Sequence, residues 1–443
     1  MRKLNITALR INRQSLLYML GNLGSKGLAA AAQLTAIFVF TRMHSQDEAA
    51  LIFLLLGYTI WFYVFECGLS QTLQNKFNAK QVTVDDMLTM AVVHYVGMLI
   101  IAALVVTTPF LTDILLPASR SGAVGVEVKA FSIGAAILLI ASNNLITQRL
   151  LLIFNKGRLG NILIMCQSVL AITGLACYEI MGHPNLIMAV ILYLGPQVLV
   201  FLPMLLGWII RLVGKPSRMG MVKVARIFYD SLGFWGLAIL AAVFLGSDYY
   251  FAAHYMSSEQ IVSYHVATRL FFFSFVAYFA FLMHRARRLS GLSLQSGVRA
   301  VSSIVKDSVL IGLVSVLLVY VAAAILEQFG AFNGITDGVG IGHELLFSAF
   351  MYFMIRVCRD VGVIVAGLLN ARAVMYKVYT LEVVVGLSLM YLIVPTYGGQ
   401  GIFFSLTLAC TLGLALLIYE AKKLGITFTR MHCNENLPSN KRV

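Results

Sequence analysis

The chain has 443 residues, of which 60% are hydrophobic and only 12% charged, with a mean hydropathy of +0.86. Soluble chains carry about 25% charged residues, so a water-facing globule of this length is excluded. The formal net charge of +14 would suggest nucleic acid in a soluble protein, but here the sidedness of the basic residues accounts for it and no nucleic-acid partner is expected.

Apolar blocks long enough to cross a bilayer, which takes roughly 20 residues per helix, follow one another along the chain. Spans are expected at 16–41, 49–70, 86–110, 130–152, 160–182, 187–212, 223–246, 260–283, 303–326, 343–369, 373–395 and 400–421. In lipid a segment must satisfy its own backbone polar groups, which favours helices, and the short alternating stretches of a β-barrel are missing. The expected fold class is therefore an all-α polytopic membrane protein of twelve helices. The first block follows a basic stretch from Met1 to Gln14, but no cleavage site comes after it, so it reads as a retained helix and not a signal peptide. Gly21, Gly24 and Gly27 allow close packing or softness in the first span, and Gly195-Pro196 predicts a kink in the sixth.

The basic residues fall on one side. With the N-terminus and the even-numbered loops on that side, it collects Lys76, Lys80, Arg149, Lys156, Arg158, Arg211, Lys223, Arg285 and Lys422 among many others, leaving only Arg42, Arg120 and Lys129 opposite. The positive-inside rule then places both termini in the cytoplasm. Acidic residues such as Asp47, Asp113, Glu179, Asp248 and Asp337 are expected outside. The basic connection Arg211 to Arg226 divides the chain in two. The expected layout is a cytoplasmic N-terminus (1–15), an N-terminal six-helix bundle (16–213), a linker (214–222), a C-terminal six-helix bundle (223–421) and a cytoplasmic tail (422–443). Paired bundles of this kind suit alternating access, with a substrate site near the midplane between the halves.

Eight charged residues remain inside spans: Lys26, Glu66, Asp230, Arg269, Arg356, Arg359, Asp360 and Glu382. A charge at the bilayer centre costs about 2.5–3.5 kcal/mol on insertion scales, so each must face a wet cavity or a partner. Lys26, Glu66 and Asp230 lie toward the cytoplasmic ends of their spans, where snorkelling or structural ion pairing competes with a gating role. Arg356 and Asp360 stand at i,i+4 spacing and can neutralise each other, which leaves Arg359 unpaired unless Glu382 reaches it. Arg269 has no acid nearby in sequence. A cavity lined by Lys26, Arg269, Arg356 and Arg359 would suit a phosphate-bearing substrate, because the planar guanidinium fork binds phosphate bidentately. Coupling or gating by Glu66, Asp230, Asp360 or Glu382 stays open. Aromatic runs such as Trp61-Phe62-Tyr63 and Tyr249-Tyr250-Phe251 read first as packing and interfacial belts, and second as sugar-stacking surfaces.

Other chemistries find little support. The six cysteines are scattered and show no metal-ligand or disulfide spacing, so no metal or cofactor is expected. No GxxxxGK[ST] loop is present, and no loop is long enough for a soluble catalytic domain.

Three stretches carry a resemblance to a known family. They are Glu66-Cys67-Gly68-Leu69-Ser70-Gln71-Thr72-Leu73-Gln74-Asn75-Lys76; Ser247-Asp248-Tyr249-Tyr250 with Ser257 to Leu270 after it; and Tyr397-Gly398-Gly399-Gln400-Gly401. In order and placement the chain resembles the Wzx-type polysaccharide flippases of the MOP superfamily (multidrug/oligosaccharidyl-lipid/polysaccharide exporters). The resemblance implies two six-helix bundles around a cationic cavity. The substrate it implies is a polyprenyl-pyrophosphate-linked oligosaccharide repeat unit, turned over in the bacterial inner membrane for surface polysaccharide such as O-antigen. It also implies coupling to H+ or Na+ and work beside other polysaccharide-assembly membrane proteins. Arg269 and Lys26 sit where relatives place cavity cations, and Glu66 where many carry Asp. The Arg356/Arg359/Asp360 cluster matches no family motif. The rival expectations are a multidrug or cation antiporter of the same superfamily, which needs an acid-dominated cavity; a lipid II flippase, usually of fourteen spans; and a membrane polysaccharide polymerase or glycosyltransferase.

Overall fold

The computed structural model describes residues 13–108, 115, 125–154, 156–182, 184–213, 220–289, 294–332, 340–368 and 371–423. The N-terminal stretch before residue 13, linker residues 214–219 and the tail beyond 423 lie outside the described residues, as do Asp113, Arg120 and Asp337. The described secondary structure is helical.

The helices are α1 (Arg13–Met43), α2 (Gln46–Asn78), α3 (Val84–Thr107), α4 (Val126–Ile153), α5 (Gly157–Met181), α6 (Leu186–Val213), α7 (Met221–Tyr255), α8 (Ser258–Leu289), α9 (Leu294–Gln328) and α10 (His343–Leu368). The last element, Arg372–Lys423, contains Pro395 and a non-helical residue at Gly398 (φ 52°, ψ −130°), so it is two helices, α11 before that residue and α12 after it. Among the described residues nine segments are long and apolar enough to cross a membrane by length and composition, counting α11 and α12 as one. The two helices missing from that set are α8 and α10, which carry Arg269 and the Arg356/Arg359/Asp360 cluster. The three charges of that cluster interrupt the apolar run of α10, and both are long helices packed among the others. Among the described residues the total is twelve long helices, in two six-helix bundles.

Local chemistry sets where helices start and break. Ser45 and Glu48 form a reciprocal capping box at the start of α2, and Thr83 and Asp86 form another at α3. The Asn185 side chain caps α6 by accepting from Met188 N at 3.0 Å. Between α1 and α2, the buried His44 contacts Glu48 at 3.2 Å and the Tyr178 hydroxyl at 3.0 Å. Burial lowers its pKa, with Glu48 acting in the opposite sense. The kink expected at Gly195-Pro196 is present: α6 is interrupted there and again before Leu202. Gly24 and Gly27 in α1 have no neighbour within 4 Å of a built Cβ, so they do not serve close packing.

Helix α2 is interrupted twice. Its first segment ends at Gly57, a short helix and a 3-10 turn follow to Glu66, and Cys67 and Gly68 are both left-handed (φ 57° and 68°) before the helix resumes at Leu69. A Cβ on Gly68 would lie 2.7 Å from the Trp235 backbone N and 2.9 Å from the Ser231 carbonyl. Glycine is thus required both by φ and by the backbone of α7 lying against it.

The face where α2 ends and α3 begins gathers Lys76, Lys80, Lys156, Arg158, Arg211 and Lys223 and is called the basic face below. Helix α1 packs on α5, α3 on α4, and α4 on α6; in the second half α8 packs on α9 and α10, and α7 and α10 on the α11–α12 element. The halves meet where α1 and α2 pack on α8, and α2 on α7. One difference from the sequence expectation follows. α7 continues to Tyr255, so Asp248 is not in an outer loop but buried in the helix, accepting from Tyr264 Oη at 2.7 Å and Tyr249 N at 2.8 Å.

Candidate functional site: a cavity between the two bundles

A cavity of about 420 Å³ lies at this meeting of the halves. Its wall comes from α1, α2, α5 and α6 on one side and from α7, α8 and α10 on the other. Arg269 and Arg356 both line it, and among the described residues its lining contains no carboxylate.

Arg269 is positioned by the first break in α2. Because that helical segment stops at Gly57, the Leu56 carbonyl accepts from the Thr59 hydroxyl at 2.7 Å and from an Arg269 terminal nitrogen at 3.1 Å. Arg269 Nε points at His265 Nε2, 3.4 Å away. Arginine can only donate, so that histidine nitrogen is the acceptor and Nδ1 carries the proton toward the Tyr249 hydroxyl at 2.8 Å. His265 itself is stacked on Phe53 of α2, with ring centroids 4.4 Å apart. Among the described residues no carboxylate lies within ion-pair distance of Arg269.

Arg356 is caged by aromatic rings. Phe275, Phe272, Tyr352 and Phe353 lie between 4.9 and 5.7 Å from its guanidinium carbon, within cation–π range. It donates to the Tyr352 hydroxyl at 3.0 Å and reaches Asp360 at 3.4 Å. The Phe272 ring is shared, since the Arg269 guanidinium carbon stands 5.5 Å from the same centroid.

Arg359 does not line the cavity. Its side chain is 2% exposed, donates to both oxygens of the fully buried Glu382 in a bidentate pair, and donates to Asp360 at 2.8 Å. Gly413 of α12 leaves the space that the Glu382 carboxylate occupies. Arg356, Arg359, Asp360 and Glu382 therefore form a group with two cations and two acids, and Arg359 is withdrawn from the expected cationic lining.

The remaining candidates lie on the basic side of the cavity. Lys26 is one turn along α1 from the wall residue Ala29, with its ammonium 4.1 Å from the Phe279 ring of α8. Glu66 accepts from Ser70 N and so caps the helix that resumes at Leu69, which gives the carboxylate a structural post at the second break of α2. Asp230 pairs with Lys76 at 2.5 Å across the α2–α7 contact. Close by, Lys223 pairs with Asp86 at 2.7 Å, and Trp235 Nε1 donates to the Val64 carbonyl at 3.0 Å. On the opposite face the halves meet through Ser258 and Asp47, and deeper in through the Tyr58 hydroxyl on the Tyr249 carbonyl at 3.3 Å. The two halves are thus in contact both above and below the cavity.

Sequence reasoning gave no role to His265 or to the uncharged polar residues of the wall, Gln33, Gln167 and Gln197, and named Tyr249 and Tyr63 only within aromatic runs. A search for intramembrane charge passes over glutamines, and nothing in their spacing brings three separate helices together.

No protein-family model matches the chain. It is 21% identical over 420 residues, 90% of this chain and 95% of the relative, to a Salmonella typhi protein named "Putative O-antigen transporter". Among solved structures it is similar to "Lipid II flippase MurJ, inward closed conformation", with a TM-score of 0.68, 12% identity, and coverage of 92% of this chain and 87% of that one. It is also similar to an inward-facing multidrug resistance MATE family transporter of the MOP superfamily, with a TM-score of 0.64, 14% identity, and coverage of 89% and 95%. The chain has the twelve-helix fold of the MOP-superfamily transporters, as its motifs suggested, and is a multi-pass membrane protein.

Proposed function

We propose that this protein is a flippase for polyprenyl-pyrophosphate-linked oligosaccharide repeat units in the bacterial inner membrane, serving surface polysaccharide assembly. The observation that carries the reading is the wall of the cavity, which among the described residues presents two guanidinium groups and no carboxylate. Such a wall attracts a diphosphate through charge-assisted, bidentate hydrogen bonds. It repels a cationic drug, which weighs against the antiporter. The O-antigen transporter relative supports the same substrate class. The cavity volume falls in the usual range for small-molecule sites, about 300–1,000 Å³, which suits a headgroup while the prenyl tail stays in lipid.

In this mechanism the bundles 16–213 and 223–421 rock about the cavity. Opening toward the cytoplasm, where both termini lie in this reading, separates Lys76 from Asp230 and Lys223 from Asp86. Opening outward separates Asp47 from Ser258 and Tyr58 from Tyr249. A diphosphate held by Arg269 and Arg356 moves outward with the membrane potential, which contributes about 2.3 kcal/mol per charge per 100 mV. Neither step involves bond cleavage, so the protein acts as a transporter and not an enzyme, with H+ or Na+ as the coupling ion.

The test is deletion in the native bacterium with complementation by wild type or by the Arg269→Gln/Arg356→Gln double variant. The expected outcome is loss of surface polymer with lipid-linked units held at the cytoplasmic face, restored by wild type and not by the variant. Normal polymer together with altered drug tolerance would overturn the flippase reading in favour of the antiporter.

A further inference from the structure

The cavity has two chemically different walls. The C-terminal wall supplies the guanidinium groups, and apart from the Thr268 hydroxyl its polar groups are already engaged. Tyr249 bonds His265, and His265 faces Arg269. Among the described residues the N-terminal wall carries no charge. It presents Gln33 from α1, Tyr63 from α2, Gln167 from α5, and Tyr193 and Gln197 from α6. Among the described residues none of these five side-chain heads has a hydrogen-bond partner in the protein; the only bond recorded at Gln197 is to its backbone carbonyl, from Asn144 at 2.7 Å.

Five unpartnered polar heads in a membrane interior call for an explanation, because a polar group withdrawn from bulk water without a hydrogen bond is unfavourable. They are affordable where a wet cavity or a ligand completes them. A glutamine amide offers two donors and a carbonyl acceptor, which matches sugar hydroxyls that both donate and accept. The tyrosine rings add flat faces and hydroxyl tips. Phosphate is better matched by the opposite wall, whose guanidinium groups bring charge as well as donors.

We infer that the glycan binds against the N-terminal wall, with Gln33, Gln167 and Gln197 as its specificity-determining residues, while the diphosphate binds the C-terminal wall at Arg269 and Arg356. This rests on the flippase reading and adds an orientation to it. The headgroup bridges the two bundles, so sugar discrimination belongs to one bundle and anion binding to the other.

The experiment uses the full-length protein in nanodiscs and two kinds of probe. One is farnesyl pyrophosphate; the other is a panel of farnesyl pyrophosphates each bearing one hexose or N-acetylhexosamine. Wild type is expected to bind at least one sugar-bearing probe about tenfold more tightly than the bare one, the scale of one or two added hydrogen bonds. Gln167→Met/Gln197→Met removes that preference and keeps the affinity for the bare probe, which also shows that the variant is folded. Arg269→Gln weakens both probes together. Equal loss of both probes in the glutamine variant, or no sugar preference in wild type, overturns the two-wall inference alone. Failure of wild type to bind either probe overturns the flippase reading itself.

Discussion

Arg269 and Arg359 sit on packed neighbouring helices, α8 and α10, in the same half of the molecule. Their surroundings differ completely. Arg359 is sealed under Phe244 and Tyr379, with two carboxylates holding three of its nitrogens. Among the described residues Arg269 meets a backbone carbonyl, a neutral histidine and an aromatic ring, and one side of it opens to the cavity. An intramembrane charge is therefore not in itself a sign of a binding site. What decides is whether the protein supplies the counter-charge or leaves that to a ligand. Arg356 lies between these extremes, half-paired to Asp360 and still exposed to the cavity.

The largest effect should come from breaking the sealed pair. Glu382→Leu alone leaves Arg359 short of a partner in the interior and is expected to cost about 3–5 kcal/mol, read as a large fall in Tm in detergent. Arg359→Met/Glu382→Leu together should recover most of that loss, since Asp360 still has Arg356. If the single and double variants fall equally, the pair is not what holds α10 to α11.

The open arginine should behave in the reverse manner. Arg269→Gln is expected to leave Tm close to wild type and to lower transport of lipid-linked units about 10- to 100-fold, the scale of lost hydrogen bonds to a charged group. A collapse in Tm instead would show that the bond to the Leu56 carbonyl is structural first.

Two smaller effects sharpen the contrast. Gly413→Ala places a methyl against the Glu382 carboxylate and should cost about 1–3 kcal/mol by overpacking, without touching the cavity; thermal unfolding checks this, with anion binding as the control. The rim pair Lys76–Asp230, whose side chains are 17% and 36% exposed, should contribute little to stability, about 0.2–1 kcal/mol. The exchanged variant Lys76→Asp/Asp230→Lys should restore transport lost in either single change, as measured by surface polymer. Failure of that rescue would remove the pair from the inward contact.

Several features were legible in the residues. The Arg356–Asp360 spacing and the candidate partnership of Arg359 with Glu382 followed from helical periodicity and the count of buried charges, and the break in α6 followed from Gly195-Pro196. Others were not. Glu66 looked like a gating acid, but its local duty is to cap a helix restarted after two left-handed residues. Asp248 looked like a loop residue because its helix runs past the apolar block that announced it.

By itself the sequence determined the twelve-helix membrane class and the segregation of basic residues to one face, because hydrophobic length and charge asymmetry act along the chain. The division of the arginines into a sealed pair and an open site was decided only in the tertiary structure, as was the assembly of three uncharged glutamines into one wall. Both depend on which helix faces which across the bundle interface, and one helix does not encode its neighbour's face. Burial, and with it the strength of a charge or the availability of an amide, is a property of that packing.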